Sequence, residues 1–526
     1  MTVTAPLTAG GLPSIVTSGR AAQLALQVRS TSADSVTPSA PFTGGPLVEL
    51  PQCSPADVVA AFERARVAQR AWAARPIRER ARIVLRMHDL VLERQHEVMD
   101  LIQVENGKAR RDAFLEVADI ANTARYYART ARSTLRTKHR TGLLPGLTST
   151  HELRQPKGVV AIVSPWNYPL ALGAGDTIPA LVAGNAVVQK PDNQTALTAL
   201  WALSIAREAG LPDDVWQLVL GRGATIGTPL TEHADYVMFT GSTPSGRRIA
   251  EQAGARLIGC SLELGGKNAM LVLDDADLDR TVEGAVRACF SSSGQLCISI
   301  ERMYVQDGIF DAFVPRFVDA VKNMRLGAGY DFGYDMGSLT TADQLATVAA
   351  HVEDALANGA TLLAGGAARP DLGPLFFEPT VLTGTTPTAK CFGDETFGPL
   401  VSIYRFRDID DAIERANDTA YGLNASVWSR SVKRGREVAS RLHAGTVNIN
   451  EGYAAAWGSV DAPMGGVGDS GLGRRHGSEG LLKYTEAQTL ARQRLMNLKP
   501  PGRMSHDTFA KVMTRALALM RRTGWR

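Results

Sequence analysis

The feature that most narrows the fold is an alternation of strand and helix patterns that begins after a Gly- and Pro-marked break at residues 142–146. Short β-branched runs at 158–163, 186–189, 215–220 and 236–240 are separated by stretches of helical spacing at 170–182, 195–209 and 244–253. Parallel strands need a crossover between them, so the alternation predicts a doubly wound parallel sheet. A mixed segment from about 263 to 441, with strands at 269–273 and 303–305 and a helix over 279–289, predicts a second α/β unit. Length agrees, because one hydrophobic core stops growing at about 250–300 residues. A chain of 526 residues requires more than one.

The flanks read differently. Residues 1–50 are rich in Ser, Thr, Ala, Pro and Gly, which predicts a loose arm over 1–47. From Pro55 to about Leu135 the spacing is helical, with Val58, Phe62, Ala65, Val67, Ile83, Val84, Met87, Leu90 and Val91 on apolar faces. The arginines between them read as a solvated face. Residues 505–523 form a basic amphipathic pattern, with Phe509, Val512, Met513, Ala516, Leu517 and Met520 on one side and Lys511, Arg515, Arg521 and Arg522 largely elsewhere. Packing on the body or on a second copy is expected for this helix in preference to an acidic membrane surface.

Charge and cysteine usage exclude whole classes of function. The net charge is +4, but residues 491–526 hold nine basic residues against Asp507 alone, so the remaining 490 residues sum to −4. A mildly acidic body has no footprint for nucleic acid. Cys53, Cys260, Cys289, Cys297 and Cys391 form no Cys-x-x-Cys pair, so neither a metal site nor a disulfide framework is expected. Reduced thiols, no secretory pattern in residues 1–30 and no apolar run of about 20 residues predict a cytoplasmic protein.

Several loops could carry chemistry. Cys297 ends Ser291-Ser292-Ser293-Gly294-Gln295-Leu296-Cys297, a polar, flexible approach, whereas Cys289 sits among apolar neighbours; the sequence leaves Cys297 open as nucleophile or inert thiol. Glu263 follows a strand over 256–262 and precedes two glycines, and reads equally as general base or as a capping acid. Asn167 in Pro165-Trp166-Asn167 could donate to an oxyanion or simply occupy a tight turn. Gly241-Ser242-Thr243-Pro244-Ser245-Gly246 closes a strand and opens a helix whose N-terminus favours a phosphate, although it lacks the usual dinucleotide fingerprint.

Taken together and in order, these motifs resemble the aldehyde dehydrogenase superfamily over roughly residues 45–490. The matching pieces are Pro165-Trp166-Asn167, Lys190-Pro191, Gly241-Ser242-Thr243 with Gly246, Glu263-Leu264-Gly265-Gly266-Lys267, Gly294-Gln295-x-Cys297 and Glu395-Thr396-Phe397-Gly398-Pro399. The resemblance implies that the Cys297 thiolate attacks the aldehyde carbon, that Asn167 and the Cys297 N–H hold the oxyanion, that hydride passes to NADP or NAD, and that Glu263 activates water to release the acid. It implies further that Glu395 holds the nicotinamide ribose and Lys190 the adenosine ribose. Gly241 and Ser242 would meet the phosphates, with Pro165, Trp166 and Leu264 along the groove. The neutral Asn193 of Asp192-Asn193-Gln194, beside cationic Lys190, tolerates a 2′-phosphate, which favours NADP.

The same resemblance implies a cofactor domain over 48–262 and 442–465, a thiol domain over 263–441, and a β bridging element from 134–155 and 466–490 that pairs subunits into a homodimer or homotetramer. Residues 491–526 form a basic tail. Met464 and Gly468 depart from the common Phe and Lys of the last signature, so substrate does not transfer from better-known branches. Ile298-Ser299-Ile300-Glu301-Arg302 looks most like bacterial succinate-semialdehyde enzymes, with other aliphatic or aromatic aldehydes as the alternative. Arg302 reads as structural. A CoA-acylating reductase is disfavoured by the presence of Glu263, and a non-catalytic binding protein by the intact set of Cys297, Glu263 and Asn167.

Overall fold

A computed structural model describes residues 13–142, 148–493 and 499–523. Most of the 142–146 break, residues 1–12 and the extreme C-terminus lie outside the described residues. Two parallel-rich sheets organise the chain. The first has six strands in the order Gly471–Leu472, Gly259–Glu263, Tyr236–Thr240, Val159–Ser164, Ala186–Pro191 and Trp216–Leu218. All pair in parallel except the short antiparallel Gly471–Leu472 edge. The chain leaves Val159–Ser164 in one direction and returns to Tyr236–Thr240 on its other side. That reversal opens a crevice beyond the strands' carboxyl ends, where ligands gather in such sheets.

The second sheet has seven strands: Thr361–Ala364, Thr380–Thr383, Leu400–Phe406, Ile300–Gln306, Asn268–Val272, Asn424–Trp428 and Thr446–Ile449. The central strands read as largely apolar runs because both of their faces are buried; Val159, Val160, Ala161 and Ile162 are all buried. Helix Pro169–Ala183 starts with Pro at its first turn and ends on Gly184 in the left-handed region, which accounts for its sharp limits.

Four expectations are corrected. Residues 13–47 are packed, not loose: Ala21, Leu24, Ala25 and Val28 recur at i, i+3, i+4 and i+7 and are buried, helix Arg20–Ala25 packs against helix Ala196–Glu208, and Ser35–Val36 pairs with Leu50–Pro51. An average over a Ser- and Gly-rich stretch hid a short apolar stripe. Residues 442–465 do not join the first sheet, because Thr446–Ile449 forms the edge of the second, with Asn424 opposite Thr446. Within 466–490, Gly471–Leu472 pairs with Gly259–Glu263 and helix Gly477–Leu482 packs on helices Arg110–Thr134 and Pro169–Ala183. Only Thr485–Gln493 enters the small antiparallel sheet with Thr148–Pro156 and Lys138–Arg140, so this strand runs past residue 490. Finally, helix His506–Thr523 has no buried residue and does not pack on the described body of its own chain.

Smaller departures follow the same logic. Val67 is 75% exposed because it falls off the Val58, Ala61, Phe62, Ala65 stripe. Arg80 is buried rather than solvated, donating to the carbonyls of Val182 and Ala73.

Candidate active site

The turn before Cys297 is not the flexible approach its composition suggests. Ser291, Ser292, Ser293 and Gln295 are buried, and Ser292 and Ser293 adopt left-handed φ of 51° and 57°. Such backbone persists only when neighbours hold it. The Ser292 N–H donates to Asp112 Oδ2 at 2.9 Å, Ser292 Oγ bonds the Tyr168 hydroxyl at 3.0 Å, and Ser293 Oγ donates to the Gly337 carbonyl at 3.1 Å. Gly294, at φ 70°, leaves no room for a side chain, since a Cβ there would lie 2.1 Å from the Gly398 carbonyl oxygen. The serines serve as hydrogen-bonding supports.

Asn167 is brought to this turn, its Nδ2 donating to the Gln295 carbonyl at 3.0 Å. Its own carbonyl accepts from Lys108 Nζ at 2.5 Å, and the Asn106 amide holds the Trp166 carbonyl at 3.0 Å. Lys108 is fully buried and paired with Glu116 at 2.8 Å; Glu116 also accepts the Leu170 and Ala171 N–H groups that open helix Pro169–Ala183. Sequence reasoning missed Lys108 and Glu116. Both sit among ordinary helical charges, and only their burial distinguishes them.

Glu263 ends its strand with both thiol and glycines close by. A Cβ on Gly266 would lie 2.6 Å from the Cys297 carbonyl oxygen, and Asn268 Nδ2 donates to that same oxygen at 2.8 Å. The Glu263 loop and Cys297 are therefore in backbone contact. Burial pushes the Glu263 carboxyl up to about 7, with Arg475 and Lys483 drawing it back, and Oε1 has no hydrogen-bond partner. Burial also raises the Cys297 thiol, to about 12, against the pull of Arg475. Beside Cys297 lies an apolar cluster that includes Tyr168, Leu172, Tyr453, Trp457 and Met464.

Glu395 is fixed by the same loop: Oε1 accepts the Gly266 N–H at 2.8 Å, and burial pushes its carboxyl up to about 8. The buried pair Lys267–Glu301, 2.5 Å apart, holds the loop that carries Glu395, because Glu301 accepts the N–H groups of Thr396 and Phe397. Arg302 donates to the Lys267, Arg415 and Ala416 carbonyls, which makes it structural as expected from the sequence.

The remaining predicted residues border the crevice of the first sheet. Pro165 and Trp166 follow the Val159–Ser164 strand, and Trp166 stacks edge-on against Phe397 at 5.6 Å. Lys190 and Asp192 lie at the end of Ala186–Pro191, Lys190 Nζ donating to the Pro191 carbonyl and Asp192 accepting the Gln194 N–H. Asn193 donates to Gln52 at 2.8 Å while its Oδ1 is buried without a partner. Gly241 and Ser242 open helix Thr243–Ala255, whose first turn has no side-chain cap. Leu264 fills the space over Gly246, where a Cβ would lie 2.5 Å from its Cδ2. Uncapped N–H groups, an orphan acceptor at Asn193 and glycines that bare the backbone fit a dinucleotide. Among the described residues, no group of three His, Cys, Asp or Glu side chains is placed to hold a metal ion.

The model of the aldehyde dehydrogenase family matches residues 28–490. The chain belongs to the aldehyde dehydrogenase family. Its relatives include the Mycobacterium tuberculosis (strain H37Rv) protein named "Putative succinate-semialdehyde dehydrogenase (NADP(+)) 2", 56% identical over 460 residues, 88% of this chain and 89% of that one. A Mycolicibacterium smegmatis protein named "Putative succinate-semialdehyde dehydrogenase (NADP(+))" is 54% identical over 473 residues, 90% and 92% of the two chains. Among solved structures, an E. coli NADP-dependent enzyme aligns at TM-score 0.85 and 35% identity over 89% of this chain and 96% of that one. Betaine aldehyde dehydrogenase from Staphylococcus aureus, in complex with NAD+, aligns at 0.86 and 30% identity over 91% and 95%. This aldehyde dehydrogenase thus has the expected α/β fold and is an NAD(P)-dependent aldehyde oxidoreductase.

Proposed function

We propose that the chain oxidises succinate semialdehyde to succinate, using NADP at least as well as NAD, with Cys297 as nucleophile. The observation that carries the catalytic part is the contact of the Glu263–Gly266 loop with the Cys297 backbone, which brings one thiol and one unpartnered buried carboxylate to the same crevice. Sulfur attacks the aldehyde carbon, and the Asn167 amide with the Cys297 N–H receives the developing oxyanion. Bound nicotinamide supplies the hydride acceptor. Glu263 then draws a proton from water that attacks the thioester, and the Cys297 sulfur leaves with the acid released.

The substrate rests on the names of the mycobacterial relatives. A second reading, a less polar aliphatic or aromatic aldehyde, is favoured by the Tyr168, Leu172, Trp457 and Met464 cluster beside Cys297. Steady-state kinetics across an aldehyde panel decides between them: succinate semialdehyde should exceed its uncharged analogues in kcat/KM, and equal or lower values favour the second. For the coenzyme, the free Asn193 Oδ1 is an acceptor and suits a ribose hydroxyl. The support for a 2′-phosphate is instead that Asn193 carries no charge to repel it and that the cation Lys190 stands three residues earlier, at the end of its strand. A kcat/KM for NAD far above that for NADP contradicts this.

We also assign homo-oligomerisation to the small sheet. Strand Thr485–Gln493 is an edge, exposed over eight of its nine residues, and carries only Glu486 and Arg492 as charges, a template for pairing with a second copy. The described cysteines are all free, which supports the cytoplasm, and among the described residues no helix is long and apolar enough to cross a membrane.

A further inference from the structure

Helix Pro169–Ala183 contains one charged residue, Asp176, and it is buried. A buried carboxylate needs a partner, and Asp176 has one from 299 positions away: Oδ2 accepts from Arg475 Nη2 at 2.9 Å, while Oδ1 lies 4.0 Å from Lys483 Nζ. Arg475 Nη2 also donates to Thr240 Oγ1 at 3.1 Å. Thr240 stands opposite Glu263 in the parallel register of neighbouring strands. The Arg475 backbone is in turn clamped to Met464 by two hydrogen bonds of 2.7 and 2.8 Å, and the next residue, Gly465, is where the Glu263 carboxylate lies, a Cβ there falling 3.0 Å from Oε1. Arg475 therefore reaches Glu263 along two routes, one through Thr240 and one through Gly465. Each residue keeps one unsatisfied buried atom, Arg475 Nε and Glu263 Oε1.

We propose that Asp176 and Arg475 form a charge clamp behind Glu263, in which Arg475 is a positioning residue that keeps the carboxylate ionised for water activation and Asp176 limits how much of that positive charge Glu263 feels. The proposal rests on Glu263 being the general base. The charges facing Glu263 are Arg475, Lys483 and Arg474, which favour its ionised form, and Asp176, which opposes it. Cys297 lies within reach of both Arg475 and Glu263. Asp119 faces Arg475 from helix Arg110–Thr134, and His476 is held neutral by burial and by its cationic neighbours. The alternative is an ion pair that only ties helix Pro169–Ala183 to the C-terminal segment. That role gives no reason for removal of the two partners to act in opposite directions.

The test is the pH dependence of acyl-enzyme hydrolysis in the full chain. Arg475→Gln should move the midpoint of the ascending limb upward by about one pH unit, the size expected for loss of a nearby opposite charge. Asp176→Asn should move it downward, and Arg475→Lys should hold it near the parent value. Shifts in one common direction, or none, overturn the clamp. If Arg475→Gln does not fold, Asp176→Asn decides alone, an unchanged or raised midpoint being contrary. Glu263→Gln separates the two claims. If it keeps the limb, the reading of Glu263 as base fails; if it abolishes the limb while the clamp variants leave it in place, only the clamp fails.

Discussion

Cys289 and Cys297 stand eight positions apart, one inside a helix and the other just past the turn that ends it, and burial raises both thiols above their ordinary range. Burial therefore does not separate the proposed nucleophile from a structural thiol. What differs is the surroundings. Cys289 lies on the buried side of helix Leu278–Phe290, with Glu301 as the one charge acting on it. Cys297 faces the cationic Arg475 and two carboxylates, Glu263 and Glu395, and its backbone touches the Glu263 loop. Of these charges, only Arg475 favours a thiolate at Cys297, and Glu263 and Glu395 oppose it. Among the described residues no cation acts on Cys289, so the two thiols differ in having, or lacking, a cation and a nearby candidate base.

The sharpest way to break this contrast is exchange at each position. Cys297→Ala should lower aldehyde oxidation by about 10³-fold or more, the scale for loss of a covalent nucleophile, while the protein keeps its melting temperature. Asn167→Ala should follow, at about 10²–10³-fold in kcat with little change in KM, because an oxyanion donor acts in the transition state. For Glu263 the sign is set by its raised carboxyl: below about pH 7 it is protonated and cannot take a proton from water, so kcat should fall as pH drops through 7. A flat profile from pH 6 to 8 would remove it as base. Cys289→Ala should show the smallest effect, about 1 kcal/mol of stability in denaturant titration, with kcat unchanged.

The contrast also shows what a sequence carries. The β-branched runs at 158–163 and 236–240 announced buried parallel strands because such strands are apolar on both faces. The order of short motifs singled out Glu263, Cys297 and Asn167, whose loops the fold brings together. The serine run before Cys297 misled, since polar residues read as a solvent-facing loop whether they meet water or buried partners such as Asp112 and Tyr168. Asp176 and Arg475 escaped notice because their pairing spans most of the chain. A faint signal existed in Asp176, one charge in an otherwise uncharged apolar helix, which calls for a buried partner without naming it.

The most direct measurement is peptide mass mapping of the Glu263→Gln variant, mixed with succinate semialdehyde and NADP and quenched in acid within a turnover. Hydrolysis should stall, leaving the acyl mass on the peptide that contains Cys297 with one equivalent of NADPH formed. NADPH without an acyl group on that peptide, or the added mass on Cys289, would contradict the account.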